Sequence, residues 1–313
     1  MLSLTPIQEP IRRTELTPLS KSILRVLLYF KIFDYPVTKE ELFQFVSSDN
    51  KIEIQASLAR LVRDGMVCSR GGYVWVMNDE AIIPVRAKGN ASAERYLKVA
   101  RRQARILSWF PFIKCICISG SLSKYYMDSH SDIDYFIIAK QGRLWLTKLL
   151  MSIIVETLEV LRLEKYFCPN YIITENNLHI ADRNIFTAME IVTLVPLYNQ
   201  EEYERFLHAN EWIKDYFPQY QMNLPVKSFG YSKKLLRTVW NHGFFGWVDK
   251  HILRFYQWRY ERKIKAGKIR ASGTDMVITE SDYKLHLSGH RRRILQQYEN
   301  NIRIFEDSFD VVL

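Results

Sequence analysis

Asp132 and Asp134 stand two residues apart at the entrance to an apolar run, Tyr135 to Ala139. In an extended chain residues two apart point to the same side, so the two carboxylates share a face and Ile133 points away. Side by side they resist joint ionisation, and a divalent cation relieves that repulsion. Hard oxygen ligands of this kind suit Mg²⁺ or Mn²⁺, with substrate phosphates completing the shell. Upstream, Ser119-Gly120-Ser121 is a small-residue turn whose backbone N–H groups are open to phosphate oxygens. The apolar run Cys115 to Ile118 precedes it and reads as a buried strand. Positioning this chemistry takes a strand, a turn opening into a helix, a polar connection and a second strand.

Gly120-Ser121, ten residues, then Asp132-Ile133-Asp134 resembles the signature of the DNA polymerase β-like nucleotidyltransferase superfamily. Within it the segment is most similar to the minimal nucleotidyltransferases and the aminoglycoside adenylyltransferases. The resemblance implies Mg²⁺- or Mn²⁺-dependent transfer of a nucleoside monophosphate from an NTP, with ATP as the expected donor, to an acceptor hydroxyl. The acceptor is a small molecule, a protein or an RNA. It also implies that Gly120 and Ser121 hold the β- and γ-phosphates, that Lys124 reaches them, and that Asp132 and Asp134 hold the metal. In that superfamily the next strand brings a third carboxylate. Here the next predicted strand is Cys168 to Thr174, and the aligned position holds Asn170. An amide ligates weakly and takes no proton, which leaves three outcomes: Glu175 or Asp182 is recruited, a substrate group serves as base, or the chain senses a nucleotide without turning it over.

The sequence predicts an α+β chain in three parts: a winged-helix-like domain over 18–80, a nucleotidyltransferase core over 90–200 and a helical, basic region over 201–313. Residues 1–17 read as an irregular arm. Helical faces follow from Ser20 to Phe33, from Thr38, whose capping box closes with Glu41, and from Lys51 to Asp64. A hairpin then spans Met66 to Met77 around Gly71-Gly72. Three helices and a hairpin resemble a winged helix-turn-helix, but equal numbers of basic and acidic residues in 1–80 make DNA binding the weaker reading. Ala81 to Lys88 reads as a connector and Ala91 to Phe110 as a helix. Further helices are predicted over 142–164, over 182–198 up to a break at Pro196, and over 201–217.

Ser228 to Lys265 interleaves Trp240, Phe244, Trp247, Phe255 and Trp258 with Lys233, Arg237, Arg254 and Arg262. The favoured reading is a pair of core helices whose charged stems reach solvent. Peripheral membrane contact through 233–262 and single-strand stacking are the competing readings. Residues 264–272 read as a basic loop and 274–287 has no clear pattern. A last helix runs from Gly289 to Phe305, capped by Ser288. His286 and His290 have helical ligand spacing across a Ser-Gly break, which argues against a metal. Arg291, Arg292 and Arg293 offer a clamp for phosphates.

At 48% hydrophobic and 13% aromatic residues the chain has ample material for folded cores, which excludes a disordered protein. Its formal net charge of +10 is concentrated in residues 220–313, where 17 Lys/Arg face 9 Asp/Glu, a balance that suits an anionic partner. Four cysteines without ligand spacing imply neither a zinc site nor a disulfide framework. Residues 1–17 lack the apolar core of a signal peptide, and the apolar segment Leu144 to Leu163 carries four charges, so the expected location is the cytoplasm.

Overall fold

The computed structural model describes residues 15–77, 79–162, 166–220, 243–266, 275–286 and 289–313. The start of the N-terminal arm, residues 228–242 of the aromatic-basic stretch, most of the basic loop after Lys265 and the Ser288 cap lie outside these residues. The chain is mixed α and β and forms two compact units. The first holds residues up to Ile82 together with Gln296–Leu313, and the second holds Ile83–Leu295. Residues 201–313 therefore contribute to both.

In the first unit α1 spans Pro18–Lys31, with Thr17 accepting from the Ser20 N–H as its cap and Pro18 at the helix start, where no intrahelical donor is lost. Strand β1 is Val37–Thr38 and α2 is Lys39–Phe45. The capping box is complete: Glu41 N–H donates to Thr38 Oγ1 and Thr38 N–H to Glu41 Oε2. Helix α3, Lys51–Arg63, starts at the Asn50 cap and ends against Gly65, at φ 72°. Strands β2 (Cys68–Arg70) and β3 (Tyr73–Trp75) form the hairpin around Gly71 and Gly72, both at positive φ, as a tight two-residue turn requires. Strand β1 joins it in the order β1-β3-β2.

The second unit opens on α4, Ile82–Leu107, which takes in most of the expected connector. Pro84 falls in the first turn, where the backbone N–H has no helical acceptor, so it does not delay the helix. Ala93, Tyr96, Ala100, Ala104 and Leu107 recur three or four residues apart and form its buried face. Strand β4 is Ile113–Ile118 and β5 is Asp134–Ala139, paired antiparallel. Between them lies α5, Gly120–Ser123, a single turn rather than a helix of full length. Helix α6, Leu144–Val160, is the crossover that lets β6, Cys168–Thr174, run parallel to β5.

Two segments differ from their sequence reading. Helix α7 stops at Val192 (Ile185–Val192), and Val195–Tyr198 is strand β7, with Pro196 inside it. The proline is tolerated because β7 is the sheet edge, pairing among the described residues with β4 alone. Residues 274–287, without a clear pattern in sequence, include β8 (Asp275–Ile278) and β9 (Asp282–His286), a hairpin that extends the sheet past β6. The sheet order is β7-β4-β5-β6-β9-β8.

The helix expected over 201–217 is α8, Gln200–Ala209, followed by a 3₁₀ turn, Glu211–Asp215. Fully buried Asn210 separates them: its Nδ2 donates to the Leu178 and Phe206 carbonyls and its Oδ1 accepts from the Ile180 N–H. Helix α9 spans Gly243–Lys265 and α10 spans His290–Phe309. In the sheet, Tyr135, Ile137 and Ala139 bury one face against α4 and α6. The opposite face carries Phe136, whose ring lies 4.9 Å from that of Phe206 on α8.

Candidate functional site

The site is built at the point where β4 leaves the sheet and β5 enters it. Gly120 takes φ 65°, a conformation costly to any residue with a Cβ. A Cβ built there would stand 2.1 Å from Asp134 Oδ2, so the glycine is required twice, by the turn and by the carboxylate it touches. The Ser119 N–H donates to the Asp134 carbonyl at 3.0 Å, which fixes turn and strand to each other. Ahead of β5, Asp128 Oδ1 accepts from the N–H groups of His130 and Ser131, each at 2.8 Å, and sets the loop that delivers Asp132.

Asp132, Asp134 and Cys168 converge, with one ligand atom of each within 4.8 Å of the others, and together they could hold a metal ion. The Cys168 thiol lies beside both carboxylates. Burial raises the Asp134 carboxyl to about 7, and the charges of Asp132 and Glu190 push the same way. The neighbouring Cys168 thiol and the Lys124 charge pull it back only partly. The Cys168 thiol is itself raised far above its ordinary value by burial and by the two aspartates, which keeps it protonated.

A buried carboxylate beside a like charge is the electrostatic setting that a bound cation relieves. The two carboxylates supply hard oxygen donors to this set. As a protonated thiol Cys168 adds no charge; as a thiolate it would favour a softer ion.

The register of β6 explains why Cys168, rather than Asn170, stands opposite Asp134. Asp134 pairs with Cys168 and Tyr135 with Pro169, but Phe136 pairs with Tyr171. The ladder skips Asn170. That bulge shifts the alternation, so Cys168 shares its face with Tyr171 and Ile173 although it lies three residues before Tyr171.

The other carboxylates weighed from sequence are engaged elsewhere. Glu175 Oε2 pairs with Lys114 Nζ at 2.5 Å and its Oε1 accepts from the Gln141 N–H, both at the far end of β5. Asp182 pairs with Arg291, the first of the three consecutive arginines. The carboxylate whose charge does reach Asp134 is Glu190, on α7.

Lys124 connects Glu190 to the turn: its Nζ donates to Glu190 Oε1 at 2.8 Å and to the Gly120 carbonyl at 3.2 Å. Glu190 carries no local sequence signal, because only the packing of α7 brings it here. Cys115 and Cys117 are buried in β4 with their sulfurs 3.6 Å apart, as core residues. His290 packs its ring edge-on to Phe186, 6.0 Å away, and belongs to no metal-ligand cluster among the described residues.

A cavity of about 410 Å³ lies at the opposite end of β5, lined by Gln141, Gly142, Trp145 and Trp247, with Asp249 and Glu280. Asp249 is a structural group there: buried, it accepts from the Leu146 N–H at 2.8 Å and caps α6. No helix among the described residues is long and apolar enough to cross a membrane. Compared with known proteins, the chain matches no family model, no curated protein and no solved structure.

Proposed function

We propose that the chain is a metal-dependent nucleotidyltransferase with a DNA polymerase β-like core, preceded by a winged-helix-like module. The observation that carries this reading is the Gly120 turn held against Asp134, with Asp132 on the same side of the chain. Asp132 and Asp134 would hold a divalent cation, which would supply charge neutralisation at the α-phosphate and at the departing pyrophosphate. Gly120 and Ser121 offer backbone N–H groups to the β- and γ-phosphates. Lys124 is already directed at this turn, and leaving Glu190 would let it meet a phosphate.

The acceptor hydroxyl attacks the α-phosphorus, a new P–O bond forms, the bond to pyrophosphate breaks, and the hydroxyl proton passes to solvent. Such transfers depend chiefly on positioning and electrostatics, so a dedicated base is not indispensable. The test is incubation with labelled NTPs and Mg²⁺ or Mn²⁺. Nucleotide turnover or self-labelling that disappears in Asp132→Asn/Asp134→Asn supports the reading, and the absence of both activities in the wild type refutes it.

One observation favours a second reading, a nucleotide sensor without turnover. Cys168 occupies the place opposite Asp134 on the third strand, and its protonated thiol cannot serve as a base. That reading predicts metal-dependent NTP binding with no product. If the first unit is its output, its charge favours a protein partner over DNA. Arg60 on α3 is shared with Asp64 at 3.7 Å, which reduces the charge available to phosphates.

A further inference from the structure

Helix α9 has two faces of opposite character. Asp249, Leu253, Tyr256 and Tyr260 are buried. Tyr256 Oη lies 2.9 Å from Ser152 Oγ on α6, and its ring centroid is 5.4 Å from that of Trp145. This side is the core helix expected from sequence.

The other side is not core. Phe244, Trp247, Phe255 and Trp258 are 58%, 59%, 53% and 50% exposed. With His251 and Arg262 they follow steps of 3, 4, 4, 3 and 4 residues, which places all six on one helical stripe. At 100° per residue that stripe lies roughly opposite the buried set.

The exposed flanks of the stripe are basic. Lys250, Arg254, Arg259 and Lys265 are solvent-exposed, and Glu261 is the only exposed acid in α9. Isolated exposed apolar residues are ordinary, but four large aromatics in register between cations are not.

We infer that α9 lies flat on an anionic lipid bilayer, with its aromatic stripe at the headgroup–acyl boundary and its Lys and Arg flanks on lipid phosphates. The pattern is that of an interfacial helix, apolar on one stripe and cationic beside it. Tryptophan suits this depth because its ring is amphipathic. At 23 residues the helix is about 35 Å long, and its charges forbid insertion across the bilayer.

The ring geometry argues against a stacking platform for single-stranded nucleic acid. Trp247 stacks with Phe244 at 6.2 Å and 23°, and the Arg262 guanidinium lies over the Trp258 ring at 4.8 Å. Each contact involves one face of its ring and so reduces the stacking surface left for bases. The inference is independent of the reaction proposed above, since the stripe contains none of that site's residues.

The test uses the full chain and sedimented vesicles of phosphatidylcholine with and without phosphatidylserine. The expected result is partition onto the anionic vesicles only, reversed by salt, with a blue shift of tryptophan emission. Trp247→Ser with Trp258→Ser is expected to lower the partition coefficient at least about tenfold. Arg254→Glu with Arg259→Glu is expected to abolish the preference for anionic lipid. Both pairs lie outside the buried face, and an unchanged circular dichroism melt verifies that the fold is retained.

Three results would each overturn the inference. These are no partition onto either vesicle, stripe-dependent binding of single-stranded RNA without lipid binding, or a dimer in sedimentation velocity that dissociates in the tryptophan variant.

Discussion

The parallel pair β5–β6 carries carboxylates at both ends, and the two ends are solved differently. At the Ala139 end Glu175 has a lysine at 2.5 Å and a backbone donor. At the Asp134 end two aspartates face each other and a protonated thiol, and among the described residues no Lys or Arg forms an ion pair with either. The first is internally neutral and behaves as a clamp; the second stores repulsion that a ligand can release. The presence of a carboxylate in a strand pair is therefore uninformative by itself, and what distinguishes a ligand site from a clamp is whether the fold supplied the counter-charge.

The largest test of this contrast is Asp132→Asn with Asp134→Asn against Glu175→Gln. The first is expected to abolish Mn²⁺ binding in calorimetry and to lower any NTP turnover by about 10³-fold or more, the scale of losing electrostatic stabilisation of the reacting charge. The second is expected to leave both intact. Equal effects from the two variants would remove the distinction.

Glycines at the two ends sharpen it next. Gly120 and Gly142 have nearly the same φ, 65° and 67°. A Cβ at Gly142 meets nothing within 4 Å, whereas at Gly120 it meets Asp134. Gly142→Ala is expected to cost about 1–2 kcal/mol in urea unfolding, from backbone strain alone. Gly120→Ala adds a clash with the carboxylate and is expected to cost roughly 1 kcal/mol or more beyond that, with weakened metal binding.

The pH response follows from the Asp134 carboxyl, whose ordinary value of 3.8 is raised to about 7 in the fold. The folded protein then binds this proton more tightly than the unfolded chain. The stabilisation is complete below 3.8 and is lost as pH rises through about 7. Without metal, the melting temperature is expected to fall across that window. Asp134→Asn flattens this component, and saturating Mn²⁺ offsets the loss on the alkaline side. Glu41 in the first unit, raised to about 7 by burial, contributes with the same sign, so the difference between wild type and Asp134→Asn is the quantity to measure.

The smallest expected effect lies at the clamp. Lys114→Met leaves Glu175 without its lysine and is expected to cost about 1–2 kcal/mol, less than a fully buried pair because both side chains keep some solvent contact. Lys114→Met with Glu175→Leu is expected to recover part of that loss, and metal binding stays unchanged in both.

The asymmetry also shows which features local sequence carries. Strand β4, the glycine turn and the aspartates of β5 are contiguous, so alternation and spacing locate them. Cys168 is hidden by a bulge: counting by two along β6 makes Asn170 the face-mate of Cys168, and only the ladder shows the skip. Glu190 arrives on another helix with no local mark. Pro196 signals a break, and nothing nearby says that its strand is an edge. The β8–β9 hairpin takes its place only by pairing with β6. In α9 the aromatic spacing was visible, but which stripe faced inward depended on where α6 and β9 lay.

The division of the chain has a consequence for its biogenesis. The first unit includes residues from Gln296 onward, where Phe305 is fully buried, the Tyr298 ring lies 5.9 Å from Tyr29 and Asn301 donates to the Leu28 carbonyl. During translation its opening helices emerge long before α10, with all of the second unit made in between. An N-terminal fragment ending near Ile82 would lack these contacts and leave the apolar side of α1 uncovered, a species for chaperones to hold. The first unit is begun first and completed last, so ribosome-bound chains are expected to resist protease in the second unit before they do in the first.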